Sequence, residues 1–148
     1  MTTLPDIHQW EKHTLLADQA MAEKDYSRGI LHYQQALNVC DQLSETLDDL
    51  DELITISVIS CHNLANFWRV SGDPEFELKY LQLASEKILT LVPQCPNHQC
   101  DAFIDSLGCC KKALIHFIKR HPNPNVARLV QNLDCASNCE IIAKFKLN

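Results

Sequence analysis

The chain has 148 residues, enough for one domain with a core of its own. Hydrophobic residues at 46% and charged residues at 22% exclude a disordered chain, and Gly 3 and Pro 6 argue against a turn-rich β fold. A net charge of -6 argues against a nucleic-acid binder, because phosphate contacts need clustered Lys and Arg. Eight cysteines and seven histidines are the one feature out of line.

The opening segment, MTTLPDIHQWEK, has no basic region followed by an apolar stretch, so no secretory signal is expected. The longest stretch without a charged residue, Leu53 to Trp68, carries Thr55, Ser57, Ser60, His62, Asn63 and Asn66 and is too polar to span a bilayer. A cytoplasmic protein with no membrane partner is therefore expected. Its thiols would be kept reduced rather than paired as a disulfide framework.

Helical periodicity runs throughout. In His13–Ala22 and Tyr26–Leu43 apolar residues recur at three- and four-residue intervals, and no stretch alternates with period two. The first helix starts at Asp6 after Pro5 and should reach about Glu23. Asp25 suits the N-cap of a second helix from Tyr26, and Ser44 or the acidic run Asp48-Asp49-Leu50-Asp51 separates it from the third. The third ends at Ser71-Gly72, with Gly72 fit for the left-handed position after a helix. Asp73-Pro74-Glu75 then reads as N-cap, first-turn proline and first-turn acid. The fourth helix should end near Val92-Pro93, before the loop from Pro93 to Cys100. A fifth covers about Asp101 to Arg120, and Asn123-Pro124 starts a sixth that carries Val126 to about Phe145. The expectation is all-α, with six helices in three antiparallel hairpins over about 5–47, 50–92 and 98–146.

The sequence also repeats itself. A shift of 48 places Leu16 on Leu64, Ala17 on Ala65, Asp25 on Asp73, Ile30 on Leu78, Tyr33 on Leu81 and Ala36 on Ala84. A third unit is degenerate: the same shift keeps Ala113, Val126 and Leu129, but Pro74 meets Pro124 only at a shift of 50.

These residues resemble the tetratricopeptide repeat. Leu16-Ala17, Asp25-Tyr26, Gly29, Tyr33 and Ala36-Leu37 stand in the order of that family's markers, although Ala20 replaces its first aromatic. The second unit keeps Leu64-Ala65, Trp68, Gly72-Asp73, Leu81 and Ala84 and departs at Pro74 and at Glu77, where the family has a small residue. The family period is about 34 residues, so the excess is about four turns, which preserves the inward face. Those turns are expected in the second and third helices, around Ser44 to Ser57. The resemblance implies a short right-handed solenoid with longer helices, similar to uncharacterised bacterial families of this type, and no known activity.

No catalytic signature is visible: there is no Gly-rich phosphate loop, His-Glu-x-x-His or Gly-x-Ser-x-Gly. Acidic pairs such as Asp48-Asp49 read as a solvated helix start, and the side chains of Cys61 and His62 diverge by about 100° on a helix. No enzyme and no cofactor is expected. The cysteines allow an alternative reading, a metal-binding or redox-sensing protein. Cys135 and Cys139 share a helix face, and Cys109 or Cys110 could join them around zinc, but no standard zinc spacing is present. Thiols packed as small hydrophobes are the plainer reading.

The resemblance implies that the first helix of each hairpin lines a concave groove for a protein partner. The corresponding positions are Glu11, Thr14, Asp18 and Met21 in the first unit and His62, Asn63, Asn66 and Arg69 in the second. Asn63 falls where some members hold a peptide carboxylate, whereas Asp18 would repel one, so a basic or neutral peptide or a helix is expected. Self-association as a homodimer that occludes the groove is a third reading.

Overall fold

The computed structural model of the chain describes residues 6–91 and 100–133. It contains α1 (Ile7–Ala22), α2 (Tyr26–Leu43), α3 (Leu50–Ser71), α4 (Pro74–Leu91) and α5 (Cys100–Arg120). Residues 124–133 begin α6. Among the described residues there is no strand, as the periodicity requires. The expected loop from Pro93, its Cys95 and His98, and the course of α6 beyond 133, with Cys135 and Cys139, lie outside the described residues.

Aspartates start four of the helices by accepting an orphan backbone N–H. Asp6 takes that of Gln9 at 2.9 Å, Asp25 that of Arg28 at 3.3 Å, Asp49 that of Glu52 at 3.1 Å and Asp73 that of Phe76 at 3.1 Å. The soft boundary between the second and third helices uses both sequence signals. Leu43 ends α2 with Ser44 as its cap, and Asp49 opens α3 with Asp51 and Glu52 in its first turn. The lengthening lies in the last turns of α2 and the first of α3, while residues 44–49 are not helical.

The repeat is written in the backbone as well as in the side chains. After α1, Asp25 N–H bonds Ala20 C=O at 2.8 Å and Lys24 N–H bonds Met21 C=O at 3.0 Å. At the same places after α3, Asp73 N–H bonds Trp68 C=O at 2.9 Å and Gly72 N–H bonds Arg69 C=O at 3.1 Å. Both are the double bond that closes a helix through one left-handed residue, Lys24 at φ 61° and Gly72 at φ 81°. The connections of α1 to α2 and α3 to α4 are too short for anything but antiparallel hairpins.

Small residues let the helices approach. Ala17, Ala36, Ala65 and Ala84 are all buried, with Tyr33 and Leu81 filling equivalent places beside them. α3 is the central element: it packs along α4 and lies against α2 and α5. Leu64, Ile54, Ile88, Phe103 and Leu114 are fully enclosed where these helices meet. Truncating any of them to alanine would cost about 2–5 kcal/mol.

Polar ties join one hairpin to the next. Trp10 Nε1 donates to Ser60 Oγ at 2.7 Å, linking α1 to α3, and Ser60 in turn donates to Ile56 C=O at 2.7 Å. Lys87 on α4 pairs with Asp41 on α2. Glu77 on α4 is buried and takes Arg120 of α5 at both oxygens, with N···O distances of 3.1 and 2.5 Å.

Candidate functional site

α3 and α5 run side by side, each the first helix of its hairpin, and a trough of about 340 Å³ lies along their shared face. One wall carries His62, Asn66 and Arg69 of α3; the other carries Cys109, Lys112, His116 and Arg120 of α5. The spacing on both helices is three or four residues, which puts each set on one face. Ala65, Leu81 and Ala113 make an apolar floor, and Glu77 closes one end.

The trough is cationic in an acidic chain. Arg69, Lys112 and Arg120 face a single carboxylate, Glu77, which Arg120 already engages. That hydrogen bond raises the Arg120 pKa further, so its guanidinium stays charged. Arg69 and Lys112 have no ion-pair partner among the described residues. His62 Nε2 is buried and meets no hydrogen-bond partner there either. Desolvation lowers the His62 pKa, so the ring is neutral at pH 7 and one of its nitrogens is an available donor or acceptor.

The groove residues expected from the sequence separate into two groups. His62, Asn66 and Arg69 share the trough wall. Asn63 is half-buried on the same helix but does not line the trough. The α1 set is engaged elsewhere. Thr14 Oγ1 donates to its own helix at Trp10 C=O, 2.9 Å away, and Glu11 is exposed 3.8 Å from His8. Met21 packs over Gly29, where a Cβ would stand 2.7 Å from its sulfur. Asp18 accepts the Tyr33 hydroxyl at 2.5 Å, and burial first and this bond second hold that hydroxyl protonated well above its usual range. The acid expected to set the groove's charge is thus bound to α2 and absent from the trough, whose charge is of the opposite sign.

Lys112, His116 and Arg120 are not among the groove positions that the repeat implies. Their i, i+4, i+8 spacing on α5 is a readable signal, but the repeat decays in that hairpin and gave no register to place it. In the sequence Glu77 is legible only as a departure from a small residue. It stands where Gly29 stands in the first unit, and the structure gives its reason: the larger side chain reaches across to α5.

A family model described as a protein of unknown function, DUF2753, matches residues 8–148, a span that includes both trough walls. The chain belongs to the DUF2753 family. An uncharacterised protein of Vibrio parahaemolyticus serotype O3:K6 (strain RIMD 2210633) is similar to it, 64% identical over 143 residues that cover 96% of this chain and 99% of that protein. No solved structure matches. No described helix of this DUF2753 chain is long and apolar enough to cross a membrane.

Four cysteines of the DUF2753 chain divide by burial. Cys40, Cys61 and Cys110 are in the core; Cys109 is exposed on the trough wall. Of the adjacent pair on α5, Cys110 is therefore the one that turns inward. Burial pushes the Cys61 and Cys110 thiols up to about 12, so both stay protonated and pack as small hydrophobes. Cys40 Sγ lies 3.3 Å from Ser57 Oγ on the floor of a second cavity of about 330 Å³ between α2, α3 and α4, with Asp41 and Lys87 at its edge. Among the described residues no three His, Cys, Asp or Glu side chains stand close enough to hold a metal ion.

Proposed function

We propose that the chain is a tetratricopeptide-like hairpin array that works in the cytoplasm as a non-catalytic protein-interaction module. The trough between α3 and α5 is its binding surface. The observation that carries this reading is the pairing of Arg69 and Lys112, two exposed cations without an ion-pair partner among the described residues, over an apolar floor shared by two hairpins. A preformed concave surface of this kind captures a segment with little ordering of its own, and affinity then rests on a few anchors. The buried residues that recur at a spacing of 48, Ala17 with Ala65 and Ala36 with Ala84, support the repeat architecture, since they pack α1 on α2 and α3 on α4 at equivalent places.

The test is an affinity capture from native bacterial lysate with the full chain, set against an Asn66→Ala/Arg69→Ala variant. Both positions are exposed, so the fold should tolerate the changes to within about 0.5 kcal/mol. Loss of specific partners from the variant is the expected result. Identical partner sets for the two proteins would remove the trough from the account.

A further inference from the structure

We infer that the trough takes an extended acidic segment of a partner protein, with carboxylates at alternate positions seated on Arg69 and on the Lys112 row. This deepens the interaction-module reading and rests on it. Lys112, His116 and Arg120 follow one another by four residues on α5, so their Cα atoms are about 6 Å apart along the helix. Side chains on one face of an extended peptide recur every two residues, about 6.6–6.8 Å apart. The two repeats match closely enough for a peptide to lie along the row, with one carboxylate on Lys112, the row's cation that Glu77 does not engage, and another across the trough on Arg69.

Charge selects the occupant. Three cations face one carboxylate, and that carboxylate is taken up by Arg120, which leaves two positive charges on the trough uncompensated by its own lining. His62 adds a second kind of demand. Its Nε2 has no hydrogen-bond partner among the described residues and is closed off from solvent, so the ring has to turn toward the trough to meet a carboxylate or peptide group of the incoming segment. The acidic run Asp48-Asp49-Leu50-Asp51-Glu52 is taken up by the start of α3, and the segments outside the described residues carry no second one. Residues 92–99 hold no Asp or Glu, and residues 134–148 hold Asp134 and Glu140 against Lys144 and Lys146. A long polyanion such as nucleic acid would meet the surrounding surface of a chain with a net charge of -6, whereas a short acidic segment touches the trough alone.

The experiment is a random dodecapeptide array probed with the full chain and with an Arg69→Glu/Lys112→Glu variant, both positions being exposed. The bound set should be enriched in Asp and Glu over Lys and Arg. For the best binder, the variant should weaken binding by about tenfold or more, and so should a rise in salt that screens the pair. Thermal melts of the two proteins establish that the variant is folded; if it is not, single Arg69→Gln and Lys112→Gln changes replace it. A bound set with no acidic preference overturns this inference and leaves the interaction module standing. Retention of the acidic peptides by a folded variant places them elsewhere and overturns it too. Sedimentation that shows self-association, lost in the variant, makes a second copy the occupant and also overturns it. An array that binds nothing overturns the module and the inference together.

Discussion

Replacing Lys24 by glycine should stabilise the protein, and replacing Gly72 by lysine should destabilise it. The two residues occupy equivalent left-handed positions, φ 61° and 81°, at the ends of α1 and α3. A side-chain-bearing L-residue there pays about 1–2 kcal/mol of backbone strain. Glycine avoids that strain but loses about 0.5–1 kcal/mol through its more disordered unfolded state. The net gain for Lys24→Gly is therefore about 0.5–1 kcal/mol, which corresponds to roughly 1–4 °C in melting temperature for a chain of this size. At Gly72 a Cβ would meet nothing within 4 Å, so the cost of Gly72→Lys is conformational alone and of similar size. Urea titrations at constant slope give the two free-energy changes directly. A destabilising Lys24→Gly, or a neutral Gly72→Lys, would refute the equivalence of the two turns.

Ser60→Ala removes the side-chain acceptor of the buried Trp10 Nε1 bond and should cost about 1–3 kcal/mol, read from urea unfolding followed by tryptophan emission. Acid should weaken the fold through two histidines. His13 is held below its ordinary value of 6.5 by burial first, then by His32, whose Nδ1 lies 3.1 Å from its own, and by Lys12; burial lowers His62. In each case the unfolded chain binds the proton more readily, so stability is fully present above pH 6.5 and falls as the pH drops below it. Unfolding midpoints measured on either side of that value should show the loss, and His62→Gln should reduce it; a flat profile in the wild type contradicts the partly buried placement of the two rings. Alkylation followed by mass spectrometry should label Cys109 before Cys40, Cys61 or Cys110, which need unfolding to react. Early labelling of Cys110 would mean that α5 does not pack as described.

The helices were legible because their boundaries are made by local chemistry. Asp6, Asp25, Asp73 and Asn123 stand at helix starts in the sequence, and each accepts a backbone N–H within three residues in the structure. Gly72 was readable as a left-handed closure, whereas Lys24 was not, since lysine gives no sign that its turn demands positive φ. The trough was harder. Part of its lining comes from α3 and α4, where the repeat gives register, and the rest from α5, where the repeat has decayed. The chemistry that decides its charge depends on partners far along the chain: Glu77 is neutralised by Arg120, 43 residues away, and Asp18 is drawn off by Tyr33. Side-chain pairing across hairpins leaves no periodic trace, so a local pattern could place Asp18 on a helix face but not reveal that a tyrosine holds it.

Site-specific photocrosslinking tests the use of the trough most directly. With p-benzoylphenylalanine in place of Asn66, on the trough wall, or of Glu86, beside the second cavity, the same protein presents a reactive group on one surface or the other. Irradiation in native lysate should yield discrete protein adducts from position 66 and none from position 86. Adducts from position 86 alone would contradict the α3–α5 trough as the binding surface.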